Sequence, residues 1–169
     1  MNSKPNALVW LLLSALVIML DQLTKIIALS QLQPLLAHPV IPGFLNWTLA
    51  FNSGAAFSFL AGADGWQRWL FTALAIGVSV ILAYWLRRTP RADWRNAAPL
   101  ALIIGGALGN LIDRVRAGQV TDFIQVYYRD WSWPAFNIAD SAICVGAVML
   151  IVFGLVGGKS AQREEEQVP

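Results

Sequence analysis

Ten acidic residues are present, and four of them stand where solubility gives no reason for a charge. Asp21, Asp113, Asp122 and Asp140 each lie inside, or beside the end of, a hydrophobic run. An ionised carboxylate is costly in a membrane span, so such residues tend to be functional and to face inward. Two of the four have ready partners. Asp21 and Lys25 are spaced i,i+4 and can pair along one helix face. Asp113 adjoins Arg114 and stands three residues from Asn110, a group that can tie the end of its span to neighbouring elements. Both are read as supporting. Asp122, in Val120-Thr121-Asp122-Phe123, and Asp140, in Asn137-Ile138-Ala139-Asp140-Ser141, have no basic residue at helical spacing. Each has a bland explanation: a carboxylate in a first helical turn complements the helix dipole, and aspartate is a common turn residue.

Together the two support acid–base chemistry. Two carboxylates a few ångströms apart cannot both ionise, so one keeps a proton near neutral pH. The ionised partner takes a proton from water. The protonated one donates to the carbonyl oxygen or leaving nitrogen of an amide. Such hydrolysis needs no metal and no covalent intermediate. Asn137, at i,i+3 from Asp140, can orient one carboxylate. Asn52, at the end of an alternating segment, can bind a substrate backbone.

The elements that must position these residues are membrane spans. Of 169 residues, 57% are hydrophobic and only 13% charged, against roughly 25% charged in soluble domains. The mean hydropathy is +0.55. A transmembrane helix needs about 20 mainly apolar residues, and four segments qualify, at about 7–29, 68–87, 96–113 and 138–157. The chain reads as a single membrane domain over 1–169, mainly α. The first span begins like a secretory signal peptide, but Asp21, Gln22, Thr24 and Lys25 stand where a cleavage motif would fall, so it is read as retained.

Arg87, Arg88, Arg91 and Arg95 crowd the loop at 87–96, Lys4 precedes the first span, and Lys159 and Arg163 follow the last. The positive-inside rule makes these segments, and both termini, cytoplasmic. Segments 30–67 and 115–136 then face outward, and 158–169 is a mobile tail. At 1.5 Å per residue, Asp21 is roughly 21 Å along the first span and Asp113 roughly 24 Å along the third. Asp140 begins the fourth from outside. In a hydrocarbon core about 30 Å thick, all four aspartates gather in the outer half.

The outward segments are unusual. Residues 26–63 carry no formal charge. Leu45, Trp47, Leu49 and Phe51 alternate with Asn46, Thr48, Ala50 and Asn52, a period of two that predicts a half-buried strand. A small external β cradle at the membrane interface is expected. Gly54 to Leu60, small and apolar, is expected as a short interfacial helix, and the segment from Asn52 to Leu60 is expected to close over the site.

Other chemistries are less well supported. One cysteine (Cys144) and one histidine (His38) exclude a disulfide framework and a Cys- or His-rich metal centre. A net charge of +2 is too little for a nucleic-acid binder, and the basic residues are not grouped as such a binder's are. Lys25 with Ser30, Ser53 or Ser58 would make a Ser–Lys peptidase, but nothing fixes that geometry. The Gly-x-Gly-Asp block of presenilin-like proteases is absent. A proton-relay transporter would spread carboxylates over several depths and show internal repeats. Cys144 is expected in core packing and His38 in a loop.

Five blocks carry a specific resemblance: Asp21-Gln22-Leu23-Thr24-Lys25, Asn52-Ser53-Gly54-Ala55-Ala56-Phe57, the run from Gly105 to Arg114, Val120-Thr121-Asp122-Phe123, and Phe136-Asn137-Ile138-Ala139-Asp140-Ser141. They resemble, in order, the motifs of the lipoprotein signal peptidase (signal peptidase II) family, and the likeness covers about Ala7 to Leu155. It implies a bacterial inner-membrane enzyme with four helices, an external β cradle and a membrane-surface helix. Such an enzyme removes the signal peptide of prolipoproteins after a diacylglyceryl group has been attached to the lipobox cysteine, cutting just before that cysteine. By motif, Asp122 and Asp140 are the catalytic dyad. Asn52, Asn110, Arg114, Asn137 and Ala139 match positions lining the site, and Asp21 and Lys25 a supporting polar group. Gly54 and Asp113 are grouped with them. The resemblance further implies lipidated prolipoproteins and membrane lipid as partners, globomycin-type inhibitors, no cofactor, no metal, and action as a monomer.

Overall fold

The computed structural model describes residues 6–54 and 65–165, with side chains to residue 155. After a 3-10 turn at Ala7–Trp10 come helix α1 (Leu11–Gln31), strands β1 (His38–Ile41) and β2 (Leu45–Asn52), helices α2 (Trp66–Arg88) and α3 (Trp94–Ala117), strands β3 (Val120–Tyr128) and β4 (Trp131–Ser132), and helix α4 (Ile138–Glu165). All four helices are long and apolar enough to cross a membrane. Helix α4 runs on to Glu165, into the polar segment that the sequence assigns to the tail.

Helix α3 is the axis of the bundle, packing against α1, α2 and α4. It is also the least hydropathic of the four. More than half of its most apolar window is buried, against less than a quarter in each of the others. The order is the reverse of a soluble bundle, because the apolar surface here faces lipid. Leu12 (71% exposed), Ile81 (65%) and Leu155 (68%) point outward. With lipid outside, helices gain little by hiding leucine and associate through close contact of small residues. The glycines of α3 do this. A Cβ on Gly106 would collide with the carbonyl oxygen of Ala139 on α4. One on Gly109 would stand 2.8 Å from a carboxylate oxygen of Asp21.

The face of α4 that meets α3 carries Ala139, Ala142 and Gly146, all buried. Cys144 lies two residues from Ala142, about 200° around the helix. It is exposed on the lipid side with Val145 and Val148. The expectation of core packing for Cys144 is therefore corrected: the small-residue seam, not the apolar composition of the span, decides which side is inside.

One end of the bundle carries the arginine-rich turn. There Ala7 N–H donates to Thr89 O (3.0 Å), Trp10 Nε1 donates to Arg91 O (3.2 Å), and Asp93 caps α3 through Asn96 N–H (3.3 Å). Ala7, Leu86, Ala97, Leu100 and Ile104 form the apolar core of that end. The other end carries an antiparallel sheet of order β1-β2-β3-β4. Strand β2 has the limits its alternation predicts. Its faces are inverted relative to a soluble sheet: Asn46 and Thr48 are buried, whereas Trp47 and Phe51 are exposed. A register irregularity between Trp47 and Ala50 lets the adjacent Thr48 and Leu49 both turn inward. The interfacial helix expected over Gly54 to Leu60 lies, beyond Gly54, outside the described residues.

Candidate active site

Two short connections bring Asp122 and Asp140 to one place. Helix α3 ends at Gly118, whose φ of 77° is the left-handed cap that glycine adopts without steric cost. The chain reverses there and β3 begins two residues later. Asp122 is its third residue, paired with Ala50 of β2, and 3% exposed. It is thus a strand residue, not the turn residue its bland explanation supposed. Residues 133–137 then carry the chain back along β3: Phe136 N–H donates to Ile124 O (2.9 Å), and Phe123 and Ile124 N–H donate to Phe136 O. Asn137 follows as the cap of α4, and Asp140 lies in that helix's first turn.

Asn137 joins the two aspartates, one through its carboxylate and the other through its backbone. Its Nδ2 donates to Asp122 Oδ1 (2.7 Å), and its Oδ1 accepts from the backbone N–H of Asp140 (2.8 Å). The second bond is an N-cap, filling one of the orphan donors of a helix start. Asn137 is wholly buried, so the bridge is not shared with solvent. Asn110 of α3 serves the other aspartate, its Nδ2 donating to Asp140 Oδ1 (2.7 Å).

Behind this layer lies the supporting group. Lys25 (2% exposed) donates to Asp21 Oδ2 (2.8 Å), Asp113 Oδ2 (2.9 Å) and Asn110 Oδ1 (3.0 Å). An ammonium has three N–H donors, so Lys25 is saturated, and no proton site is left for a Ser–Lys pair. The i,i+4 pairing of Asp21 with Lys25 is present. Asp113, grouped by sequence with Arg114 and Asn110, instead pairs with Lys25 on α1, which joins it to Asn110 across two helices. The other oxygen of Asp21 accepts from Ala139 N–H (3.0 Å), a second orphan donor of α4. Ala139 therefore acts through its backbone and its small size; its side chain is fully buried. Asp113 Oδ2 also accepts from Thr121 N–H (3.1 Å), one residue before Asp122.

Two contributors escape a reading of spacing alone. Gln22 Nε2 lies 2.9 Å from Asp113 Oδ1, 3.2 Å from Asp21 Oδ2 and 3.3 Å from Gly109 O. The backbone N–H of Thr121 fixes the start of β3. Gln22 had a signal, a polar side chain next to Asp21 inside a span; a backbone donor has none. On the remaining side, Arg114 Nη2 donates to Gly54 O (3.0 Å), and its guanidinium stacks over Phe71 of α2 at 5.2 Å. Asn52 Oδ1 accepts from Gly54 N–H (2.9 Å), an Asx turn that presents that carbonyl to Arg114.

The electrostatics follow. Four carboxylates share a largely buried space with two cations, Lys25 and Arg114. Burial, and next the neighbouring Asp140, push the Asp122 carboxyl up to about 7; the hydrogen bond from Asn137 and the charge of Lys25 oppose them. Asp122 therefore keeps its proton between about pH 4 and 7, where an isolated aspartate is already ionised. A buried pair holding one proton near neutral pH is equipped to give and take protons in the same step.

The sequence matches the family described as signal peptidase (SPase) II over residues 13–156. It is 57% identical over 165 residues to the lipoprotein signal peptidase of Xanthomonas campestris pv. campestris (strain 8004), covering 96% of this chain and 99% of that one. It is 54% identical over 161 residues to the lipoprotein signal peptidase of Xylella fastidiosa (strain M12), covering 95% and 96%. Among solved structures, a bacterial membrane enzyme determined by the in meso method at 2.3 Å superposes with a TM-score of 0.81 at 30% identity, over 100% of this chain and 99% of that one. A second, at 1.9 Å, gives 0.71 at 33% identity, over 90% and 96%. Four apolar helices around a polar site, with these neighbours, describe a multi-pass membrane protein, and the chain belongs to the signal peptidase II family.

Proposed function

We propose that Asp122 and Asp140 are the acid–base pair with which this chain cuts diacylglyceryl-modified prolipoproteins just before the lipidated cysteine. As a member of its family the chain is an aspartic signal peptidase that removes signal peptides from lipoproteins. The observation that carries the catalytic reading is the buried Asn137 bridge, one amide holding Asp122 by its nitrogen and the Asp140 backbone by its oxygen. A proton relay would need carboxylates at successive depths; these four gather at one end of the bundle.

In the proposed reaction a water adds to the scissile carbonyl carbon and loses a proton to Asp140. Asp122 gives its proton to the carbonyl oxygen. As the tetrahedral intermediate collapses, the C–N bond breaks and Asp140 passes its proton to the leaving nitrogen. Asp122 recovers a proton from the hydroxyl that becomes the new carboxylate's oxygen. Arg114 and the Asn52–Gly54 turn flank the pair and are assigned to the substrate backbone. Asp21, Lys25, Asn110, Asp113 and Ala139 hold the pair in place.

The arginine-rich turn between α2 and α3 marks the cytoplasmic side by the positive-inside rule. Both termini are then inside, and the dyad and sheet meet the outer leaflet of the bacterial inner membrane. A lipidated precursor presents its scissile bond at that depth, where acyl chains meet the interface. The exposed Trp47 and Phe51 of β2 suit a sheet resting there. We assign the active form as a monomer, because a single chain supplies both aspartates and the Asn137 that bridges them. Globomycin-type lipopeptides, an acyl chain on a peptide ring, fit a site so placed.

Purified protein in detergent, given a diacylglyceryl-modified prolipoprotein, should release the signal peptide, read by mobility shift. Asp122→Asn and Asp140→Asn should each lose release while staying folded. Cleavage surviving either substitution would discard the dyad, and no cleavage by folded wild type would discard the substrate.

A further inference from the structure

Helix α3 turns two arginines to opposite sides at its sheet end. Arg114 reaches Gly54 and Phe71, on the side of the proposed active site. Arg116, two residues on and so about 200° around the helix, lines a separate groove of about 220 Å³ between α1, the end of α3 and the start of β3. Half-exposed Ile26 and Leu29 of α1 and the exposed Ala117 make its apolar mouth. Its inner wall is the buried Lys25–Asp113 ion pair. Whole small molecules usually occupy enclosed sites of roughly 300–1,000 Å³, so this groove suits one part of a larger amphiphile.

The charge pattern selects which. Arg116 is exposed and, among the described residues, makes no hydrogen bond, ion pair or ring contact. Its natural counterion, Asp113 at i,i+3, is already committed: Oδ1 to Gln22, Oδ2 to Lys25 and to Thr121 N–H. Lys25 is likewise saturated. Among the described residues the groove thus offers one unpaired guanidinium beside an apolar mouth, at the level of the membrane interface. A guanidinium binds phosphate through paired, charge-assisted N–H bonds.

We propose that this groove holds an anionic glycerophospholipid of the outer leaflet, its phosphate on Arg116 and an acyl chain across Ile26 and Leu29. The site is distinct from the dyad, and it lies against the network that supports it. Through Lys25 the wall of the groove reaches Asn110 and so Asp140; through Asp113 it reaches Thr121, beside Asp122. A bound lipid keeps water off the ion pair from the rear. Placing the headgroup in the outer leaflet rests on the orientation argued above; binding itself does not depend on the catalytic assignment.

The test is lipid binding by the full chain in detergent, titrated with phosphatidylglycerol or phosphatidylcholine and read by native mass spectrometry. Wild type should bind phosphatidylglycerol in preference. Arg116→Gln should weaken that binding about tenfold, the order expected for loss of one charge-assisted contact, with phosphatidylcholine binding and cleavage in phosphatidylcholine nanodiscs unchanged. Ala117→Trp, which fills the mouth, should weaken both lipids. A preference for phosphatidylglycerol that persists in Arg116→Gln overturns the proposal. So does displacement of the lipid by millimolar inorganic phosphate, which would make the groove a simple anion site.

Discussion

Replacing Asp122 by asparagine should make the protein more stable at neutral pH while abolishing cleavage. The carboxyl titrates near 7 in the folded protein against 3.8 for the free side chain, because burial and Asp140 disfavour its charge. Between those values the unfolded chain gains by ionising and the folded chain does not, so folding is penalised. The interval is about three pH units at 1.36 kcal/mol each, so the penalty approaches about 4 kcal/mol once pH exceeds 7. Below about pH 4 both states are protonated and the penalty is absent. Asparagine is isosteric, never ionises, and keeps an oxygen that can accept from Asn137 Nδ2. The melting temperature of Asp122→Asn should therefore equal that of wild type near pH 4, rise above it through pH 5 to 7, and level off beyond. At roughly 2–4 °C per kcal/mol for a chain of this size, the plateau is at most about 16 °C. The eight tryptophans give the fluorescence signal for thermal unfolding in detergent. A difference that is the same at pH 4 and pH 8, or that runs the other way, would refute the account of Asp122 as a buried acid poised near neutrality.

The same electrostatics predict that kcat/KM falls as pH rises through about 7, where Asp122 loses the proton that the proposed reaction takes from it. Asn137→Ala removes a hydrogen bond that favours the Asp122 anion, so the alkaline limb should move to higher pH in the activity that remains; an unmoved limb would detach Asn137 from the proton chemistry. Lys25→Met strands two buried carboxylates and should cost about 3–5 kcal/mol, the usual penalty for breaking a buried pair from one side, read as a lowered melting temperature. Gly106→Ala drives a methyl group into the Ala139 carbonyl, which is backbone and cannot yield cheaply. It should destabilise by about 1–3 kcal/mol and lower activity by displacing the start of α4; a neutral result would show that the α3–α4 seam is looser than described.

Much of the architecture is legible in the order of the residues because a membrane imposes simple rules. Span length follows from bilayer thickness, so the four helices can be read directly from hydropathy. Alternation in Leu45–Asn52 announces β2, since side chains along a strand point to opposite faces except at an irregularity such as that between Trp47 and Ala50. The unusual aspartates are visible for the same reason: a charge in an apolar run is conspicuous. Spacing along one helix also yields the Asp21–Lys25 pair, because i,i+4 contacts are local.

What spacing cannot supply is any relation between elements. The union of Asp122 with Asp140 depends on the Gly118 reversal, on β3 pairing with β2, and on Asn137 capping α4 while holding a strand residue. None of these is periodic in the chain. Asp113 pairs across to Lys25 rather than with adjacent Arg114 because helices α1 and α3 approach along glycines, a fact of packing. Cys144 faces lipid, and the polar edge of β2 faces inward, because the apolar phase lies outside the molecule. Hydrophobicity then says that a residue is compatible with the membrane, not that it is in the core. Local chemistry and bilayer dimensions are written in the sequence. Which groups stand close enough to share a proton, and which cation is left unpaired among the described residues, arise only when distant segments compete for the same few donors and acceptors in the folded protein.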